Sequence, residues 1–405
     1  MVERETARAD ARILFATRIT RLFAYGFLSV VLVLYLAVLG LDDAQIGLLL
    51  TLTLIGDVAI SFYLSTRADT IGRRRTLIAG AALMVLASCV FAGTTHYALL
   101  VFAAILGVIS PSGNEVGPFL PIEQVALSQT VPSEQRTSTF AWYHLAGSFA
   151  TAAGSITAGA LTDFLSARGV GAIASYRGVV IGYGLLGVVL AIAFLRLSSA
   201  IEPQEKHAAT SILRVDRSRD VVLRLSALFA LDSFAGGFVV QSIVAFWFYT
   251  RFGLRPSVIG SIFFGANLLA GLSSLAAARI ARRIGLVRTM VFTHLPSNVL
   301  LILVPFMPNV QLAIAVLLLR FSISQMDVPT RQSYVIAVVD PAERSAAAGI
   351  TGVARTTGAA LAPLAAVPLF ANASLHWLPF VIAGGLKVIY DLALLRAFSK
   401  TEPIA

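Results

Sequence analysis

The chain has 405 residues, of which 57% are hydrophobic and only 13% charged, with a mean hydropathy of +0.83. Soluble domains carry roughly 25% charged residues, so this composition excludes them and leaves an integral membrane protein. The net charge of +10 is read as loop charge that sets orientation rather than as a nucleic-acid footprint, and a single cysteine, Cys89, excludes an intramolecular disulfide and a cysteine-based metal site.

The polar start, MVERETARADAR, lacks the basic region, apolar core and cleavage site of a signal peptide, so the first apolar segment is expected to stay as a membrane helix. Continuous apolar runs of about 20 residues then recur to the end of the chain, each long enough to cross a bilayer as a helix. Their lack of alternation disfavours a β-barrel. Twelve spans are expected near 14–40, 45–66, 76–94, 97–129, 138–162, 175–198, 221–249, 256–280, 288–308, 311–338, 345–370 and 375–398. The polar stretch 199–220 reads as a cytoplasmic linker between two six-helix bundles, 1–198 and 221–405. Lysine and arginine concentrate in alternate loops, at Arg67, Arg73, Arg74, Arg75 and Arg136, then Lys206 and Arg214, then Arg282, Arg283, Arg288 and Arg344. That bias places both termini in the cytoplasm.

The halves are related by sequence. STRADTIGRRRTL at 65–77 matches ARIARRIGLVRTM at 278–290 at Ala68/Ala281, Gly72/Gly285 and Thr76/Thr289, and GLDDAQIG at 40–47 faces GLRPSVIG at 253–260 in the same register. Pro121-x-x-Gln124 corresponds to Pro329-x-x-Gln332, and small residues recur every four positions at Ala150/Gly154/Ala158 and Ala354/Gly358/Ala362. Parallel repeats of this kind mark transporters with the substrate site at the repeat interface.

Ionisable residues inside hydrocarbon cost about 2.5–3.5 kcal/mol on insertion scales, so each needs a reason. Span one carries Arg18 and Arg21 followed by Tyr25, span two Asp57, and span four Glu115 and Glu123 beside Gln124 and an irregular Gly/Pro-rich run. Span seven carries Asp232, and span eleven Arg355. In span ten Arg320, Ser324, Asp327, Arg331 and Tyr334 recur at helical spacing on one face, next to Gln332. Glu123 occupies the repeat position of Arg331, so the two are candidates to pair across the cavity. Glu115, with no acidic counterpart, reads as an imperfectly paired carboxylate and the first candidate proton carrier; Asp327 is the second, with Asp57 and Asp232 behind them. Lys387 and Asp391, one turn apart in span twelve, read as a structural pair, and His144 and His294 as satisfied core residues.

The turn at 65–77 resembles the G-x-L-A-D-x-x-G-R-[RK] pattern of the major facilitator superfamily, matched here at Ala68, Asp69, Gly72, Arg73 and Arg74, with Ser65 in place of the leading glycine. The second copy keeps Gly285 but has Arg282 at the acidic position. The resemblance covers the whole chain and implies an all-α fold of two pseudo-symmetric bundles, in which Asp69, Gly72, Arg73 and Arg74 gate the cytoplasmic side. No Walker A sequence and no clustered His/Cys metal site occurs, so no cofactor, metal or catalytic residue is expected.

The leading expectation is a monomeric secondary transporter of a bacterial inner (plasma) membrane, not an enzyme. It works by alternating access, most plausibly as a proton-coupled antiporter exporting a small organic molecule, as in the drug- and metabolite-export branches. The substrate is expected to meet Arg18, Arg21, Tyr25, Glu123, Gln124, Arg320, Arg331, Gln332 and Arg355. The alternative is a carrier of an organic or inorganic anion, motivated by the five buried arginines. A non-transporting receptor on the same fold is disfavoured by the preserved turn and the costly buried charges.

Overall fold

The computed structural model describes residues 2–131, 136–203, 215, 217–340 and 343–398. Lys206 and Arg214 of the linker, and the Arg136 side chain, lie outside the described residues. All regular structure described is helical. In chain order the helices are α1 (Val2–Ser29), α2 (Leu32–Val38), α3 (Asp43–Ile71), α4 (Arg73–Gly93), α5 (Tyr97–Leu106), α6 (Phe119–Thr130), α7 (Arg136–Ala167), α8 (Ala172–Leu195), α9 (Arg219–Gly237), α10 (Gln241–Phe252), α11 (Pro256–Ile284), α12 (Leu286–Leu303), α13 (Val310–Ser324), α14 (Asp327–Ala337), α15 (Arg344–Leu361), α16 (Pro363–Ala371) and α17 (Leu378–Phe398). Ten segments among the described residues are long and apolar enough to cross a membrane, several of them being two helices in series, such as Thr6–Val38 and Arg219–Phe252. The 32-residue α7, and α5 continued by α6, bring the total to the expected twelve.

The expected continuity fails in four spans, and the irregularity expected of span four is a full break. Spans one, four, seven, ten and eleven are each interrupted, at 30–31, 107–118, 238–240, 325–326 and at Ala362. Span ten therefore does not present 320–334 as one uninterrupted face: Arg320 and Ser324 belong to α13, whereas Asp327, Arg331 and Tyr334 belong to α14.

The sequence repeat is also a backbone repeat. Gly72 (φ 108°) and Gly285 (φ 86°) occupy equivalent turns, and Gly40 (φ 88°) and Gly253 (φ 63°) do so one helix earlier. At each of these four positions a Cβ would be strained, which is why glycine survives while its neighbours diverge. In both turns the glycine amide donates to the alanine carbonyl four residues back at 2.9 Å, and the following threonine hydroxyl donates to the glycine carbonyl.

The contacts group residues 1–210 with 253–264 into one compact unit and 211–252 with 265–405 into another. In the first, α1 packs along α7; in the second, α9 packs along α15. Both contacts rest on the four-residue stripes of small residues. A Cβ on Gly154 would collide with the Phe23 carbonyl, and one on Gly26 with the Thr151 carbonyl. In the second unit Gly358 lies on the Ala230 carbonyl and Gly237 on that of Ala359. Backbone cannot yield as a side-chain tip does, so Gly154→Val is expected to force α1 from α7 and cost at least the 1–3 kcal/mol typical of overpacking. Its melting temperature in detergent should fall clearly, whereas Gly385→Ala, with open space around it, should melt at or slightly above wild type. Equal behaviour of the two variants would remove the close-packing account.

Candidate functional site

Each unit encloses its own cluster of ionised side chains. In the first unit the cluster is built on α1, where Thr17, Arg18, Arg21 and Tyr25 fall on neighbouring turns of one helical face. Opposite them the chain leaves helical geometry over 107–118, driven by Pro111, Gly113 (φ 70°), Gly117 (φ 79°) and Pro118. Non-helical backbone at membrane depth needs partners for its amides and carbonyls. They come from four other helices. Tyr25 donates to the Val116 carbonyl at 3.0 Å, Tyr183 to that of Val108, and Thr151 to that of Gly113 at 3.4 Å, while the Asp57 carboxylate accepts from the Gly117 amide at 2.7 Å.

Glu115, within this break, is therefore held toward α1. Arg21 Nε donates to Glu115 Oε1 at 2.8 Å and Arg18 Nη1 to Oε2. Arg21 reaches Glu123 with both terminal nitrogens, at 2.7 and 2.6 Å, a bidentate fork. Glu123 also accepts from Thr17 at 3.0 Å and from the Tyr143 hydroxyl. Arg18 donates to the Tyr143 carbonyl at 3.3 Å and lies 4.6 Å over its ring, while Arg21 lies 4.6 Å over Phe119. The side chains of Arg21 and Glu123 are fully buried, and Glu115 is 16% exposed. Two guanidiniums thus meet two carboxylates.

One expectation changes here. Glu115 is not an imperfectly paired carboxylate, since two arginines hold it. Asp57 serves the backbone break, accepting also from Ser61 at 3.2 Å, and faces no cation in this cluster.

The second cluster joins four helices. Asp232 of α9 takes Lys387 Nζ of α17 at 2.5 Å and Arg331 Nη1 of α14 at 3.1 Å. Arg331 also reaches Asp327, one turn earlier, at 3.1 Å. Nε2 of His294 on α12 lies 3.9 Å from Asp232, and its Nδ1 lies 2.9 Å from Asp391, which also accepts from Asn298 at 2.8 Å. Arg320 and Arg355 form no ion pair among the described residues, and the Nε of each is buried without a hydrogen-bond partner.

The arrangement corrects two pairings. Glu123 and Arg331 find their partners inside their own units rather than with each other. Lys387 and Asp391 do not pair: the lysine serves Asp232 and the aspartate serves His294 and Asn298. Lys387, His294, Asn298 and Tyr143 are thus members of clusters that the sequence reading missed. A lysine deep in an apolar span was the available signal; the position of span twelve in the fold had set it aside. Gln124 is half-buried and Gln332 exposed, and among the described residues neither joins a cluster.

The glycine turn carries a third set of bonds. Asp69 accepts from Arg73 Nε in its own turn at 2.8 Å, and it is Glu202 that receives the helix N-terminus, from the amides of Arg73 at 2.7 Å and Arg74 at 3.1 Å. The buried Arg73 further donates to Gln129 and the Ile201 carbonyl, and Arg74 to that of Leu197.

Comparison with known proteins agrees with this architecture. The chain is 30% identical to the uncharacterized membrane protein YJR124C of Saccharomyces cerevisiae, over 98% of this chain and 96% of that one. Among solved structures it resembles a bacterial homolog of the human lysosomal transporter Spinster in an inward-facing conformation (TM-score 0.73, 15% identity, 98% of each chain). It also resembles the D-xylose–proton symporter (TM-score 0.73, 15% identity, 97% of this chain and 98% of that one). Residues 14–363 match the Major Facilitator Superfamily. With the duplicated helical architecture and the glycine turns, this match shows that the chain belongs to the Major Facilitator Superfamily.

Proposed function

We propose that this multi-pass membrane protein is a proton-coupled secondary transporter that exports a small organic molecule in exchange for protons, acting as a monomer by alternating access. In this reading both termini face the cytoplasm, the membrane is a plasma or bacterial inner membrane, and the Asp69–Arg74 turn gates the cytoplasmic side. The observation that carries it is the double grip on Glu115. This carboxylate is the more accessible acid of the first cluster, and it alone ties both Arg18 and Arg21 to the non-helical wall at 107–118. Protonation removes the charge that both arginines hold. Arg21 then keeps Glu123, Arg18 keeps the Tyr143 carbonyl, and the wall loses its charged tie to α1, with the Tyr25 bond to Val116 remaining. Asp327, sharing Arg331 with Asp232, is the matching carrier in the second unit.

The test is a vesicle reconstitution with an imposed pH gradient and a pH-sensitive dye, screened with a panel of organic compounds. Wild type should move protons when a substrate is present on the opposite side. Glu115→Gln should reduce that movement to the level of empty vesicles while still binding substrate, and Asp327→Asn should weaken it. If both variants couple as wild type does, the proton assignment is wrong.

A further inference from the structure

The cations inside the apolar spans are not equally provided for. In the first unit Arg18 and Arg21 meet Glu115 and Glu123, and the cluster is neutral. In the second, Asp232 and Asp327 are engaged by Lys387 and Arg331, and Asp391 by His294 and Asn298. Arg320 in the middle of α13 and Arg355 in the middle of α15 remain. Neither forms an ion pair among the described residues, and the Nε of each is buried without a hydrogen-bond partner. Arg320 lies only against the ring of its neighbour Phe321. Arg177 and Arg344 also have an unpartnered Nε. They sit in the second turn of α8 and at the first residue of α15, however, near the helix ends, where a long side chain snorkels to the interface.

A guanidinium cannot escape by losing its proton. Two of them at mid-span, in a unit whose acids already answer Arg331 and Lys387, bring positive charge that no acid of the unit pairs among the described residues. Such an excess is met by an anion brought from outside, and guanidiniums bind oxyanions through forked, charge-assisted hydrogen bonds.

We propose that Arg320 and Arg355 form an anion-binding subsite in the second unit, and that the transported molecule is an organic anion whose oxyanion group (carboxylate, sulfonate or phosphate) is gripped there. The inference rests on the transporter reading and gives its substrate class. Of the five arginines that sequence offers for such a role, it selects two, because acids of their own unit already hold Arg18, Arg21 and Arg331.

The experiment measures the melting temperature of the purified full chain in detergent and Tris chloride, titrated with benzoate, succinate, citrate and inorganic phosphate, with benzamide and sorbitol as uncharged controls. At least one oxyanion should raise the melting temperature of wild type by several degrees, and the controls should not. Arg320→Gln and Arg355→Gln should lose that rise and, without ligand, melt no lower than wild type, since each removes an unanswered charge. The same oxyanion should protect Arg320 and Arg355 of the wild-type chain from phenylglyoxal, read by mass spectrometry, so the answer does not depend on a variant folding. No difference between wild type and variants in the anion response, or a ligand-free melting temperature well below wild type in both variants, overturns the subsite. Proton movement in vesicles driven equally well in both variants by a neutral or cationic compound leaves the transporter standing and removes the anion. Oxyanion binding without flux in vesicles does the reverse.

Discussion

Arg21→Met is expected to be among the most damaging single changes in the first unit. Arg21 is fully buried and is the only side chain to contact both Glu115 and Glu123 in this cluster. Its loss leaves Glu123 with only the Thr17 and Tyr143 hydroxyls. Removing one partner of a buried ion pair costs about 3–5 kcal/mol, because the remaining charge keeps its desolvation penalty without compensation. Against a net stability of roughly 5–15 kcal/mol, that is enough to unfold much of the population on warming. The measurement is thermal unfolding in detergent, with Arg21→Met/Glu123→Gln as the second variant. Removing the orphaned charge as well should recover most of the loss, since replacing a whole buried pair is often near neutral. A single variant within about 1 kcal/mol of wild type would mean that water reaches the cluster and screens it, as at a surface pair.

Asp232→Asn should have a comparable effect for the opposite reason, two cations losing one anion. Arg331 retains Asp327, but Lys387 pairs with no other carboxylate among the described residues. The rescue should therefore be unequal. Adding Lys387→Met to Asp232→Asn should restore melting temperature substantially, and adding Arg331→Met should restore little, because that change strands Asp327. Coupling energies between contacting groups run about 0.5–3 kcal/mol, well within the resolution of a double-mutant cycle. Equal rescue by the two second changes would show that Lys387 and Arg331 share Asp232 symmetrically, against the shorter lysine contact of 2.5 Å compared with 3.1 Å.

These two variants also mark how far sequence carries the structure. Hydropathy locates the spans, and the glycines at 40, 72, 253 and 285 mark the duplication, because a left-handed backbone position restricts residue identity directly. Helix breaks are less legible. Membrane depth sets how apolar a span must be, and backbone hydrogen bonding sets whether it is continuous, so an interrupted span looks as greasy as an intact one. Asn114, Gly117, Pro118 and Pro121 announced the irregularity in span four. Gln325 and Met326, where span ten breaks, carry no comparable mark.

Ion pairing is legible only within a helix. Asp327 and Arg331 are four residues apart and do meet, yet the same spacing at Lys387 and Asp391 suggested a pair that does not form. Spacing along one helix reports which side chains share a face; it says nothing of the competing partners that Asp232 and His294 bring from elsewhere in the bundle. The symmetry of the halves misled in a similar way at Glu123 and Arg331. Equivalent positions carrying opposite charges invited a bond between them, whereas divergence had supplied each with partners of its own, Arg21 for one and Asp232 for the other.

The non-helical stretch in span four has a consequence for how relatives of this protein change over evolutionary time. Its path is held from outside, by Tyr25, Asp57, Thr151 and Tyr183, and every one of these bonds ends on main-chain atoms. A side chain such as that of exposed Asn114 is therefore absent from the scaffolding that shapes the segment. Selection can rewrite such a position one substitution at a time, altering the chemistry of the wall while the four external anchors preserve its course. In most helices shape and surface are encoded by the same residues; here a position such as Asn114 stands apart from the glycines, prolines and external anchors that set the path, which makes it a place where a new specificity arises without first endangering the fold.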